Sequence, residues 1–132
     1  MTIDSKLLDV LSEEARKSPR LRMNYDMRNS AEDKSQRMLN AIEPGTELPI
    51  HRHRNTSETC FVIRGVAEEI FYDDHGKETE RVLMKAGSEC AGVNIETGRW
   101  HKIVSLGQGT VIFEAKDGEY EPLSSEDILN IL

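Results

Sequence analysis

Apolar residues first recur at helical spacing. Ile3, Leu7, Val10, Leu11 and Ala15 fall three or four apart, which aligns them in one stripe of an α-helix. The spacing predicts a helix over residues 3 to about 17, ended at Ser18-Pro19 because proline cannot continue it. A helix of this kind lays its stripe on the body of the fold or on a partner subunit. Residues 19–34 are polar, with Arg20, Arg22 and Arg28 set around Asn24 and Tyr25. Such a run is either a solvated connector or an arm that carries arginines over a binding site, where the planar guanidinium suits carboxylate and phosphate groups.

From Arg37 onward the pattern changes to short strand-like runs: 38–42, then a stretch around His51, then 60–63, 66–72, 79–84, 93–95, 101–106 and 110–115. Turn residues separate them: Pro44-Gly45, Gly65, Asp73-Asp-His-Gly76, Gly87, Thr97-Gly98 and Gly107-Gln-Gly109. Many short strands with this punctuation predict an all-β sandwich or barrel. The end of the chain has Ser124 as a cap, acidic residues in the first turn, and apolar Ile128, Leu129, Ile131 and Leu132. It predicts a short helix docked on the body or a partner. The expected organisation is one structural domain: an N-terminal helix and arm (1–34), a barrel (35–120) and a C-terminal helical tail (121–132).

A length of 132 residues suits one domain with a real core. The net charge of −7, from 17 basic and 24 acidic residues, argues against nucleic acid as a partner, because neutralising phosphates takes a dense basic face. No apolar run approaches the roughly 18 residues of a membrane span. The start, Met-Thr-Ile-Asp-Ser-Lys, lacks a basic region followed by an apolar core, so a cytoplasmic location is expected. The two cysteines, Cys60 and Cys90, form neither a CxxC pair nor a disulfide framework. In a reducing compartment they are small core residues.

The chemistry concentrates around His51 and His53. Residues two apart on a strand share a face, so both imidazoles reach toward one point. Glu58 follows a short polar turn and opens the run at 60–63. If that run pairs antiparallel with the histidine strand, its carboxylate returns beside the rings. Glu58, Cys60 and Val62 have the same parity, which aims the Cys60 thiol to the same side. Imidazole and carboxylate together suit Fe, Mn, Zn, Ni or Co as divalent ions. His75 lies in a polar turn and is expected to be solvated. Trp100 has the opposite parity to His101, which suggests outer packing or an interface.

The run from Gly45 to Gly65 resembles the first motif of the cupin superfamily. Gly45, His51, His53, Glu58 and Gly65 fill the marked positions: Gly, five residues, His-X-His, four residues, Glu, six residues, Gly. Gly98-Arg-Trp-His101 is similar to the Gly-X-X-His part of the second motif, although Glu96 stands at its usual proline, Cys90 at its leading glycine and Ser105 at its trailing asparagine. The run Ser12 to Arg22, the run Arg37 to Gly45 and the run Phe113 to Tyr120 resemble the WbuC-type cupin family. The resemblance implies a single cupin β-barrel (a double-stranded β-helix, or jelly roll). It also implies a metal held by His51, His53, Glu58 and His101, and a place in bacterial surface-polysaccharide biosynthesis.

Three functions are compatible with these residues. The first is a metal-dependent enzyme acting on a small carbohydrate or sugar-nucleotide derivative. The second is an Fe(II)-dependent dioxygenase, and the third a non-catalytic metal-dependent binding module. A metal dication together with Arg20 or Arg22 would favour an anionic ligand despite the net charge. The apolar ends, with Leu7, Leu11, Ile128 and Leu132, suggest a homodimer.

Overall fold

The computed structural model describes residues 1–130. Helix α1 spans Ser5–Lys17. The strands are β1 (Arg22–Asp26), β2 (Gln36–Ile42), β3 (Ile50–His51), β4 (Glu58–Arg64), β5 (Val66–Tyr72), β6 (Glu78–Lys85), β7 (Gly92–Ile95), β8 (Trp100–Ser105), β9 (Val111–Lys116) and β10 (Ile128–Leu129). They form two five-stranded antiparallel sheets, ordered β1-β2-β9-β4-β7 and β10-β3-β8-β5-β6.

Strand alternation builds the interior. In β2, Leu39 and Ala41 face outward and pack with Val111 under the Leu8, Leu11 and Ala15 face of α1. Gln36, Met38, Asn40 and Ile42 point the other way, into the space between the sheets. One end of that space is closed by apolar residues, among them Ile42, Cys60, Val62, Met84, Ile103 and Ile112. The other end is open and polar. The helix starts where Asp4 Oδ1 accepts from Leu7 N at 3.0 Å, satisfying a first-turn N–H. It stops at Ser18, ahead of Pro19.

Gly65 joins β4 to β5 with φ +89°, and a Cβ there would lie 2.7 Å from Thr110 Cα. Left-handed backbone and close approach both demand glycine at this point.

Three local expectations are corrected. The polar stretch 19–34 is not connector throughout, because residues 22–26 pair with β2 in register Arg22↔Ile42 to Asp26↔Met38. Met23 and Tyr25 gain cover from α1 on one face, which a solvated connector would not receive. The described part of the C-terminal segment, residues 121–130, is not an α-helix. It makes a single 3-10 turn at Ser125–Asp127 and then pairs as β10 with β3, Ile128 opposite His51 and Leu129 opposite Ile50. The edge of β3 offers unpaired backbone groups, whereas so short a helix would be marginal by itself. Ile131 and Leu132 lie outside the described residues.

The third correction concerns pairing. The strand that carries Glu58 does not pair with the histidine strand. β3 pairs with β8 and β10, and β4 belongs to the other sheet. Leu11 is buried within the chain against the helix-side sheet, so it supplies no apolar face for a second copy. Among the described residues no helix is long and apolar enough to cross a membrane.

Candidate metal centre

His51 and His101 are direct partners across β3 and β8. Their ring centroids are 4.4 Å apart, with His53 at 5.1 Å from His51 and 5.8 Å from His101. The donor nitrogens of all three lie within 4.8 Å of one another. Backbone carbonyls orient two of the rings: Nδ1 of His51 is 3.0 Å from Pro49 O, and Nδ1 of His101 is 2.8 Å from Arg99 O. Nδ1–H donates in each case, which leaves the Nε2 lone pair free as a ligand.

Glu58 reaches the rings from the opposite sheet. Its Oε2 is 3.4 Å from His53 Nε2 and 3.6 Å from His101 Nε2. Both separations are long for a charge-assisted hydrogen bond. His53 Nε2, His101 Nε2 and Glu58 Oε2 are all buried without a hydrogen-bond partner among the protein's own groups. An orphaned buried polar atom costs about 1–3 kcal/mol, more when charged. Three of them converging on one point is the arrangement that a shared cation would satisfy.

The electrostatics agree with this geometry. Burial pulls His51 down to about 4, helped by neighbouring His101, so its ring is neutral and available as a ligand. Burial alone would raise Glu58, but His101 and His53 beside it hold the carboxyl well below the usual range. Burial likewise opposes a charge on His101, yet Glu58 and Glu69 raise its pKa. The pocket therefore demands positive charge opposite Glu58.

These residues border a cavity of about 330 Å³, at the lower end of the size that holds small ligands. Arg22 lines this cavity, whereas Arg20 is exposed and outside it. Arg28 turns instead to Asp26, with Nη2–Oδ2 at 2.7 Å, and lies over the Tyr120 ring. Arg52 and Arg54 stand at the mouth but are paired with Asp127.

Cys60 points inward as its parity predicts, but into the apolar end. It lies outside the cluster of donor atoms, and burial pushes its thiol well up. Trp100 faces outward and is covered rather than free. Its Nε1 donates to Asp74 at 3.0 Å, and the Arg52 guanidinium lies 4.4 Å from its ring.

Among the cavity residues that sequence reasoning missed are Asn40, Glu69 and Glu114. A signal was present in the strands. Each sits at an inward position of an otherwise apolar run, where a polar side chain breaks the alternation.

A family model described as "Domain of unknown function (DUF6016)" matches residues 3–84, more than half of the chain. No curated protein matches it. Among solved structures, oxalate oxidase in complex with the substrate analogue glycolate is similar over 79% of this chain, with 14% identity and TM-score 0.62. The chain spans about half the length of that protein, 54%. KdgF from Halomonas sp. is similar over 79% of this chain and 84% of its own, with 13% identity and TM-score 0.60. The capsular polysaccharide assembling protein CapF from Staphylococcus aureus is similar over 69% of this chain and 25% of its own, with 24% identity and TM-score 0.56. With the two facing sheets, these likenesses establish the fold as a single cupin β-barrel with an N-terminal helix.

Proposed function

This chain belongs to the family described as domain of unknown function DUF6016, and we propose that it is a metal-binding cupin acting on a small anionic carbohydrate derivative. His51, His53, Glu58 and His101 would hold a divalent transition metal. The observation that carries this reading is the convergence of three buried, unpartnered donor atoms beside a third imidazole. A bound dication supplies Lewis acidity and a positive charge to the polar end of the barrel. The chain's own part is to fix two imidazole tautomers through Pro49 O and Arg99 O. It also holds Glu58 in its charged form and closes the opposite end of the barrel with apolar residues.

Arg22 supports an anionic ligand. It lines the cavity, and the acidic group nearest to it in effect is Glu114. The carbohydrate reading draws on two likenesses: the WbuC-type motifs in the sequence, and a structural relative that assembles capsular polysaccharide. The experiment is metal analysis of protein purified without chelators, then calorimetry with glucuronate and the neutral methyl glucoside. About one equivalent of metal per chain is expected, with glucuronate bound more tightly and weakened about tenfold by Arg22→Ala. Metal-free protein that takes up none of the five candidate ions would end the metal reading. Equal affinity for the two sugars would end the anionic one. Oxygen uptake during turnover would point to a dioxygenase instead.

A further inference from the structure

The register of the two sheets arranges the barrel interior in layers. Glu58 aligns with Lys116 and Gln36 across β4, β9 and β2, and His51 aligns with His101 and Phe71 across β3, β8 and β5. These rows form the metal layer. One step further along the alternation, the first sheet presents Glu114 beside Cys60 and Met38, and the second presents Glu69 beside Ile103. One further step brings Asn40 beside Ile112. Two carboxyls and an amide thus sit below the histidines, at the border of the apolar plug.

Their hydrogen bonding is incomplete. Asn40 Oδ1 and Glu69 Oε1 are buried and have no partner among the protein's groups. Asn40 is 9% exposed and Glu69 2%, and both line the cavity. Nothing in the metal layer accounts for them, since the metal donors are a separate set. Buried acceptors without donors are costly, so a cavity occupant that brings donors is favoured there. We propose that Asn40, Glu69 and Glu114 form a hydroxyl-recognition floor, and that the ligand is a polyhydroxylated acid rather than a simple carboxylate.

A hydroxyl group both donates and accepts, which is what this floor requires. Burial pushes the Glu69 and Glu114 carboxyls up, favouring the protonated form, although Lys116 Nζ at 3.8 Å opposes this at Glu114. A protonated carboxyl offers one donor and one acceptor, and the Asn40 amide lies against Glu114. A ligand carboxylate facing this floor would meet Glu69 and Glu114 together. It would sit toward the metal layer instead, with its hydroxyls directed inward. This inference rests on the metal-site reading for the ligand's acidic end, but not for the floor itself.

The test compares ring acids of one size: D-glucuronate and D-galacturonate against cyclohexanecarboxylate, by calorimetry on the Zn(II)-loaded protein. At least one hexuronate should bind about tenfold or more tighter than the hydroxyl-free acid. Glu69→Leu and Asn40→Leu should each erase most of that preference while leaving metal content and cyclohexanecarboxylate affinity intact. Glu69→Gln, which keeps a donor and an acceptor in place, should retain it. Equal binding of the three acids, no binding of either hexuronate, or a preference that survives both leucine variants would overturn the floor. Metal content is measured on the same samples. If the wild type takes up no metal, the metal reading falls by itself, and the comparison of acids is made on the metal-free protein.

Discussion

His51 and His101 sit directly opposite each other on neighbouring antiparallel strands, ring to ring at 4.4 Å, although 50 residues separate them in the chain. That register brings together the first His-X-His pair and the histidine of the degenerate second motif. Glu58 then closes the set from across the barrel, with His53 and His101 both within 3.6 Å of its Oε2.

Removing either register partner should empty the site. His51→Ala and His101→Ala are expected to retain the fold and lose metal affinity by more than the roughly 10–100-fold that loss of a ligand's outer hydrogen-bond partner costs. Elemental analysis after dialysis against limiting metal reads this directly. Full occupancy in a folded double variant would refute the ligand assignment.

Metal should stabilise the fold by mass action. At a free concentration of about 100 times the dissociation constant, a ligand specific for the native state adds about 2.7 kcal/mol. Thermal unfolding with and without chelator should show a corresponding rise. In Glu58→Gln, which removes the charge opposite the histidines, that rise should shrink.

The buried acid at position 69 predicts a pH dependence in chelator-treated protein. Burial is the main cause that lifts Glu69 from the ordinary 4.5 to about 8, with Glu58 and Glu114 adding to it and His101 opposing. Its folded pKa is above the unfolded one, so between these values the native state binds more protons than the unfolded chain. Stability from this group is present below about pH 4.5 and is lost as pH rises toward 8, at up to about 1.4 kcal/mol per pH unit. Urea unfolding across that window should be flatter for Glu69→Gln than for the wild type. Identical slopes would show that Glu69 does not titrate there.

Gly65→Ala should destabilise the barrel without touching a ligand. The left-handed backbone costs about 1–3 kcal/mol for a side-chain-bearing residue, and the new methyl meets Thr110. Denaturant unfolding measures the loss. A neutral result would mean that the β4–β5 turn can relax.

Leu11→Ala tests the helix dock. Leu11 is buried between α1 and the outer face of the helix-side sheet, and truncations of this kind cost about 2–5 kcal/mol. Metal content should be unchanged in the folded fraction, because the site lies on the other face of that sheet.

The sequence by itself determined the elements whose signals are local. The α1 stripe, the glycine turns and the two-residue alternation of β2, β4, β5, β8 and β9 follow from side-chain spacing and backbone sterics within a few residues. The candidate metal donors were legible for the same reason: His51, His53, Glu58 and His101 stand in recognisable runs. Tertiary structure alone decided which strands meet. Alternation specifies the face a residue takes but not the strand beside it, so the partnership of His51 with His101 and the placing of Glu58 across the barrel were beyond it. The edge pairings of β1 and β10 depend on backbone groups that only the assembled sheets leave open. Asn40, Glu69 and Glu114 acquire their meaning in the same way, since a polar side chain on a strand becomes a buried, unpartnered group only when the opposite sheet closes over it.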